Sequence, residues 1–100
     1  MLTGKQRAQL RAMANAVDTI IIIGKGGITD AVVNSVEDAL RARELVKGKV
    51  LENSLLTSKE AVNELARLCK AEPVQAIGSK FVLYKENKGI DVEKRIKLVR

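Results

Sequence analysis

Three glycines and one lysine lie together in the sequence Gly24-Lys25-Gly26-Gly27. A loop of the form GxxG can turn sharply, and its glycines have no Cβ to hold a sugar–phosphate backbone away. Its backbone N–H groups can donate hydrogen bonds to phosphate oxygens, while Lys25 adds a positive charge. Glycine is also expected in an ordinary tight turn between a strand and a helix. The motif therefore indicates a phosphate-binding loop without excluding a simple turn.

The residues on either side of the loop strengthen the phosphate interpretation. Four isoleucines, Ile20 to Ile23, predict a strand that is buried on both faces and lies in the centre of a sheet. Thr29 and Asp30 predict the start of a helix. A strand, a glycine-rich turn and a helix N-terminus direct N–H groups and a positive dipole end to one point. We expect this point to be the functional end of the molecule.

Other phosphate chemistries fit the sequence less well. A Walker loop requires GxxxxGK followed by Ser or Thr, and the dinucleotide fingerprint requires GxGxxG; the sequence contains neither. No paired acid and base accompanies the loop, and Asp30 is explained by its place at a helix start. We therefore expect no catalytic residues, no cofactor and no metal site.

The composition favours a polyanionic partner. Lysine and arginine outnumber acidic residues 18 to 12, which gives a net charge of +6. The absence of histidine excludes His-based catalysis and His-ligated metals. The single cysteine, Cys69, fits a reducing compartment and is expected to be a small core residue. With only Phe81 and Tyr84 as aromatic residues, a nucleic acid would be held through phosphates and sugars rather than by base stacking.

The sequence also indicates where the protein works. No apolar run approaches the roughly 20 residues that span a bilayer. The charged stretch from Leu2 to Ala16 does not resemble a signal peptide. We expect a cytoplasmic monomer without a membrane partner.

Capping residues and polarity patterns predict the order αβαβαββ in a single α/β domain with a four-stranded mixed sheet. Capping boxes at Thr3–Gln6 and Thr57–Glu60 start the first and third helices, and Gly78–Ser79 suits a tight hairpin. Gly48, inside the second strand, indicates a bulge or a close approach by another backbone. The charged tail 86–100 favours neither helix nor strand.

Further basic residues extend the candidate surface beyond the loop. Two lie on the second strand and share one face of it, and three lie on the first helix. An isolated pair of arginines on a helix is often solvated surface, so proximity to the loop decides their relevance. The full set of candidate residues for binding a nucleic-acid backbone is Gly24, Lys25, Gly26, Gly27, Thr29, Lys5, Arg7, Arg11, Lys47 and Lys49.

Beyond the loop, the chain resembles the CRM domain, the chloroplast RNA splicing and ribosome maturation domain, which bacteria contain as stand-alone YhbY-like proteins. The resemblance covers residues 2–85 in the right order and spacing. It is carried by the segments Leu2–Arg7, Leu10–Ala12, Ile23–Val32, Glu44–Lys47, Gln75–Gly78 and Val82–Tyr84.

This resemblance implies a non-enzymatic RNA-binding domain over residues 1–85, similar in shape to the C-terminal domain of translation initiation factor three. It implies ribosomal RNA as the partner and a role in ribosome biogenesis on pre-50S precursor particles. The family's loop corresponds to Gly24–Gly27, and its basic first helix to Lys5, Arg7 and Arg11.

Two other interpretations of the residues stay open. A protein–protein adaptor of the same fold would bind an acidic partner through the basic surface and use the glycine loop only as a turn. Its cellular partners would be insensitive to ribonuclease. A phosphate-handling enzyme would instead show turnover of a nucleotide by the pure protein.

Overall fold

The computed structural model describes residues 2–87, 89 and 95–99 of the chain. Within them, helices and strands follow one another in the predicted order αβαβαββ, and the expected α/β fold is confirmed. The helices are α1 (Gly4–Ala14), α2 (Asp30–Arg43) and α3 (Ser58–Cys69). The strands are β1 (Thr19–Ile23), β2 (Leu45–Val50), β3 (Glu72–Ile77) and β4 (Lys80–Tyr84).

The four strands form one mixed sheet in the order β1-β2-β4-β3. β1 runs parallel to β2, to which α2 connects it, and β4 is antiparallel to both β2 and β3. The prediction of a central, doubly buried isoleucine strand is wrong, because β1 lies at the edge. Ile21 and Ile23 are buried, whereas Ile20 is 38% and Ile22 54% exposed. A run of identical residues hides the two-residue alternation that distinguishes a covered face from an open one.

The two faces of the sheet are covered to different extents. α2 and α3 pack on one face and form the larger core with β1, β2 and β4. On the opposite face, Leu10 and Ala14 of α1 pack in a smaller core with Leu45, Val82 and other residues near the start of β2. α1 therefore covers only part of this second face.

Gly48 lies in the middle of β2, directly opposite Phe81 of β4. A Cβ built on Gly48 would lie 2.4 Å from Cζ of Phe81, and this ring is fully buried. The expected close approach is present, but an aromatic ring makes it rather than a backbone. The pairing of the sheet is irregular elsewhere, between Thr19 and Ile21 of β1 and between Pro73 and Gln75 of β3.

The predicted helix starts and the predicted hairpin are present. Both capping boxes form, with Thr3 Oγ1 accepting from the Gln6 N–H and Thr57 Oγ1 from the Glu60 N–H, each at 3.1 Å. The backbone N–H of Thr57 donates to the Glu60 carboxylate and holds the pKa of this group below its ordinary value. Gly78 turns the chain between β3 and β4 with a φ of +59°.

The end of α3 buries Cys69 and is followed closely by the edge strand β3. Cys69 is buried, as expected of a small core residue, and the burial raises the pKa of its thiol. Lys70 ends the helix in the left-handed conformation. Pro73 lies within the edge strand β3, where a missing N–H is tolerated.

Part of the predicted tail 86–100 packs against the domain. Residues 88, 90–94 and 100 lie outside the described residues, as does Met1. Ile96 and Leu98 contact the smaller core beside α1. The fully buried carboxylate of Glu44 accepts a hydrogen bond of 2.7 Å from the Ile96 N–H and thereby holds this segment in place.

Two glutamines of α1 bind the backbone of the same segment. Gln9 donates to the carbonyl of Lys97 and accepts from the N–H of Val99, both at 2.8 Å. Gln6, which also completes the first capping box, donates to the Val99 carbonyl at 2.9 Å. The two glutamines therefore hold the segment 95–99 through its main chain, in addition to the packing of Ile96 and Leu98.

Candidate nucleic-acid interface

The glycine loop is a tight turn in which one glycine is required by the backbone. The N–H of Gly27 donates to the carbonyl of Gly24 at 3.0 Å, and Gly27 has a φ of +71°, which side-chain-bearing residues rarely adopt. A Cβ on Gly26 would meet nothing closer than Thr29 Cγ2, at 3.8 Å. The backbone conformation thus requires glycine at position 27 but not at position 26. Because Gly26 has no side chain, the outer surface of the loop is open to a ligand.

The start of α2 lies immediately after the loop. Thr29 Oγ1 accepts a hydrogen bond of 3.2 Å from the N–H of Val32 and caps the helix, as predicted. The first N–H groups of a helix have no partner within it, so those of Asp30 and Ala31 remain available for an anion. The exposed Asp30 carboxylate lies in the same turn and offsets part of the dipole. Cationic side chains must therefore supply most of the attraction for a phosphate.

We expect Thr29→Ala to lower the free energy of unfolding by about 1 kcal/mol, because the cap of α2 is lost. Thr29→Ser keeps the hydroxyl and should cost much less. Urea denaturation followed by circular dichroism measures both variants. Equal stabilities of the alanine and serine variants would show that the Thr29 hydroxyl does not hold this helix start.

Beside the loop, the part of the sheet that α1 leaves uncovered carries two lysines on adjacent strands. Lys49 of β2 pairs in register with Lys80 of β4, on the face opposite α2 and α3. Ile22 of β1 and Ile77 of β3 flank them and are 54% and 65% exposed. We call these four residues the open face. It combines positive charge with apolar surface that no part of the described chain covers.

The open face and the loop lie at the same end of the sheet. The loop follows Ile23, which pairs with Val50 at the end of β2. The carbonyl of Ile23 accepts from the N–H of Leu51 at 2.8 Å, and the carbonyl of Ser79 accepts from the N–H of Val50 at 2.7 Å. The glycine loop and the β3–β4 turn therefore lie on either side of the end of β2.

The cations at this end have no acidic partner. Among residues 2–87, 89 and 95–99, no carboxylate forms an ion pair with Lys25, Lys49 or Lys80. The ion pairs found there lie elsewhere and join Arg41 to Asp38, Arg67 to Glu64, and Arg95 to Glu86. The three lysines therefore keep their full attraction for a polyanion.

A depression of about 180 Å³ adjoins the open face, between the C-terminal end of α1 and strands β2, β4 and β3. Sites that enclose a whole small-molecule ligand usually measure about 300–1,000 Å³, so this depression can enclose only part of a ligand. Its polar lining consists of Arg11, Asn15, Lys47, Gln75 and Lys80.

The structure separates the predicted basic residues into two groups. Arg11 lines the depression, and Lys25 and Lys49 lie at the loop end of the sheet. Lys5 and Arg7 lie in the first part of α1, and the Arg7 guanidinium donates to the carbonyl of Pro73, at the start of β3. This start is at the opposite end of the sheet, so these two residues are not brought together with the loop.

Lys47 has a structural contact of its own. Its Nζ donates to the carbonyl of Ala14 at 3.2 Å, at the C-terminal end of α1. The same carbonyl also accepts from the Val17 N–H at 3.1 Å, so the lysine adds a second hydrogen bond and places a positive charge at the negative end of the helix dipole. Lys47 therefore helps to position α1 as well as lining the depression.

Sequence reasoning did not select Lys80, Asn15 or Gln75. Lys80 follows the Gly78–Ser79 turn, and the predicted hairpin could have placed it at the start of β4. Its pairing with Lys49 depends on the register of two strands that are 30 residues apart, which no local pattern encodes. Asn15 and Gln75 are likewise brought together only by the packing of α1 on β3.

Two further properties of the described residues concern metal ions and membranes. They contain no group of three or more Cys, Asp and Glu side chains that could hold a metal ion. None of their helices is long and apolar enough to cross a membrane.

Comparisons with known proteins identify the family. The family model for the CRS1/YhbY (CRM) domain matches residues 2–85 of this chain. The chain is 41% identical over 88 residues to the Probable RNA-binding protein YqeI of Bacillus subtilis, covering 88% of this chain and 92% of the relative. It is 33% identical over 92 residues to an RNA-binding protein of Haemophilus influenzae, covering 92% of this chain and 93% of that one.

A solved structure agrees with these relatives. The solution structure of a Staphylococcus aureus protein, described as a candidate RNA-binding protein, has 41% sequence identity and a TM-score of 0.72. The match covers 99% of this chain and 100% of that one. With its αβαβαββ fold and a family match over residues 2–85, the chain belongs to the CRS1/YhbY (CRM) domain family.

Proposed function

We propose that this protein is a non-enzymatic, cytoplasmic RNA-binding protein that contacts structured ribosomal RNA during assembly of the large ribosomal subunit. The observation that carries the proposal is the position of the open glycine loop. It lies at the same end of the sheet as Lys49 and Lys80, which have no acidic partner in the described chain. We choose RNA among the possible polyanions because the related proteins are named as RNA-binding proteins.

The proposed mechanism is a grip on the phosphate backbone at two places. At the loop, backbone N–H groups and the start of α2 donate to one phosphate, and Lys25 adds its charge. On the open face, Lys49 and Lys80 attract phosphates further along the RNA. Both aromatic side chains, Phe81 and Tyr84, are buried and cannot stack on bases. At these two places the protein therefore contacts the RNA through its backbone rather than by stacking on bases.

The proposal contains no catalytic step. The segment from Ile20 to Val32 contains two titratable side chains, Lys25 and Asp30. A lysine suits charge attraction, and an acidic residue in a first helical turn suits the helix dipole. The ribosomal target follows from the resemblance to ribosome-maturation domains, and a monomer suffices because the loop and the open face belong to one chain.

The test is crosslinking of the tagged protein to RNA in cells, with sequencing of the attached fragments. For the wild-type protein we expect reads concentrated in large-subunit ribosomal RNA, and for a folded Gly26→Asp variant we expect their loss. Reads that persist in the variant would contradict the loop mechanism. The absence of enriched RNA, together with protein partners that survive ribonuclease, would support the adaptor interpretation instead.

The open face gives a second, quantitative prediction. Lys49→Gln and Lys80→Gln should each reduce the slope of log affinity against log salt concentration by about one, since each removes one phosphate contact. The measurement is binding of an RNA hairpin at several salt concentrations. Lys59→Gln, an exposed change on α3, is the matched control and should leave the slope unchanged. Slopes equal to the wild type in both open-face variants would remove this face from the interface.

A further inference from the structure

We propose that the depression beside the open face binds one unpaired nucleotide of the RNA, next to the structured segment that the loop holds. This inference rests on the proposed function and specifies its substrate as a paired RNA element with an unpaired nucleotide beside it. The lining of the depression and its position relative to the loop support this assignment.

Two amide side chains give the depression the chemistry to recognise a base edge. Asn15, just beyond α1, and Gln75 of β3 both line it. Each amide offers two donors and an acceptor, the groups that pair with the Watson–Crick edge of an unstacked base. Neither side chain has a hydrogen-bond partner within the described chain. Their hydrogen-bonding groups are therefore available to a ligand.

Cations and apolar groups in the same lining match the rest of a nucleotide. Arg11 and Lys80 have no acidic partner among the described residues and can contact its phosphate. Val82 forms part of the floor, and the exposed Ile77 forms part of one side. These aliphatic groups can contact the face of a base without aromatic stacking. Polar edges, positive charge and apolar surface thus occur together in one small depression.

The position of the depression fits an RNA that is already held at the loop. Lys80 belongs both to the lining and to the open face, which lies at the loop end of the sheet. A base inside a duplex cannot enter such a depression, because its Watson–Crick edge is already paired. The nucleotide must therefore be unpaired, at the end of a helix or beside it.

Nitrogen-15 NMR spectra of the full chain can test this directly with two probes. One is a blunt RNA hairpin, and the other is the same hairpin with a four-nucleotide 3′ overhang of mixed sequence. We expect both probes to shift the backbone amides of Gly24–Gly27, and only the overhang probe to shift the side-chain NH₂ signals of Asn15 and Gln75. If the overhang shifts the loop amides but leaves both NH₂ signals unmoved, the inference is wrong. If neither probe shifts the loop amides, the proposed function itself fails.

Affinity measurements with variants complete the test. The overhang should increase the affinity about tenfold, which corresponds to about 1.4 kcal/mol. The double variant Asn15→Ala/Gln75→Ala should lose this gain while binding the blunt hairpin as the wild type does. Asn63→Ala, an exposed amide change on α3, is the matched control and should keep the gain. A gain that persists in the double variant would overturn the inference.

An overhang of abasic nucleotides separates base recognition from phosphate attraction. It keeps the phosphates but lacks the groups that the two amides would bind. Because Arg11 and Lys80 can still attract its phosphates, we expect it to bind only slightly more tightly than the blunt hairpin, and clearly less tightly than the normal overhang. A gain equal to that of the normal overhang would show that the depression attracts phosphate alone, and the base site would be rejected.

Discussion

Replacement of Gly26 by aspartate is expected to weaken RNA binding by at least about tenfold without unfolding the protein. Each 1.4 kcal/mol of lost binding energy corresponds to a factor of ten, and a carboxylate placed against a phosphate is repelled. The backbone can accept the change, because Gly26 does not require a positive φ and its added Cβ would lie 3.8 Å from Thr29. Hairpin affinity is the measurement, with circular dichroism to verify the fold.

Three matched variants separate charge, size and backbone strain at the loop. Gly26→Asn has nearly the same shape as the aspartate variant and no charge, so it should lose less affinity. Gly26→Ala tests the Cβ alone. Gly27→Ala places a side chain at a φ of +71° and should lower stability as well as affinity. If the asparagine and aspartate variants bind equally well, electrostatic repulsion is not the cause of the loss.

Replacement of Gly48 by alanine is expected to cost about 3 kcal/mol of folding free energy, at the upper end of the range for overpacked cores. The new Cβ would lie between 2.4 and 2.9 Å from three carbon atoms of the Phe81 ring. The ring is fully buried between β4 and the helices, so it can move aside only by displacing other core residues. Urea denaturation provides the measurement.

A double-mutant cycle identifies the cause of this loss. Phe81→Leu removes the ring atoms that the new Cβ would meet, so Gly48→Ala should cost much less in that background. Gly4→Ala is the control, because its Cβ meets nothing within 4 Å and Gly4 is the first residue of α1, so the change should affect stability little. An unchanged cost of Gly48→Ala in the Phe81→Leu background would show that the ring is not the obstacle.

Features encoded within a few residues could be predicted from the sequence. The capping boxes at Thr3 and Thr57 involve partners three residues away, and the turn at Gly78 needs only its own backbone freedom. The element order follows from such signals. That Lys47 and Lys49 share one face of β2 could also be predicted, because the alternation of side chains along one strand is a local property.

Features that depend on distant partners could not be predicted. The edge position of β1 is decided by the pairing of β2 with β4, and four identical isoleucines give no sign of which face is covered. Arg7 contacts a carbonyl 66 residues away, and this contact draws it away from the loop end. In the candidate site, the glycine loop could be predicted from the sequence. The positions of Lys80 and Gln75 near it could not, because they depend on the register of the strands in the sheet.

The way α1 holds the segment 95–99 has a consequence for how this part of the sequence can change. Gln6 and Gln9 contact only main-chain groups of Lys97 and Val99, and these exist whatever the side chains are. Ile96 and Leu98, in contrast, fill space in the smaller core. Evolution can therefore vary positions 97 and 99 widely, provided that 96 and 98 stay apolar and the two glutamines are kept. The segment can acquire new surface chemistry without losing its place on the domain.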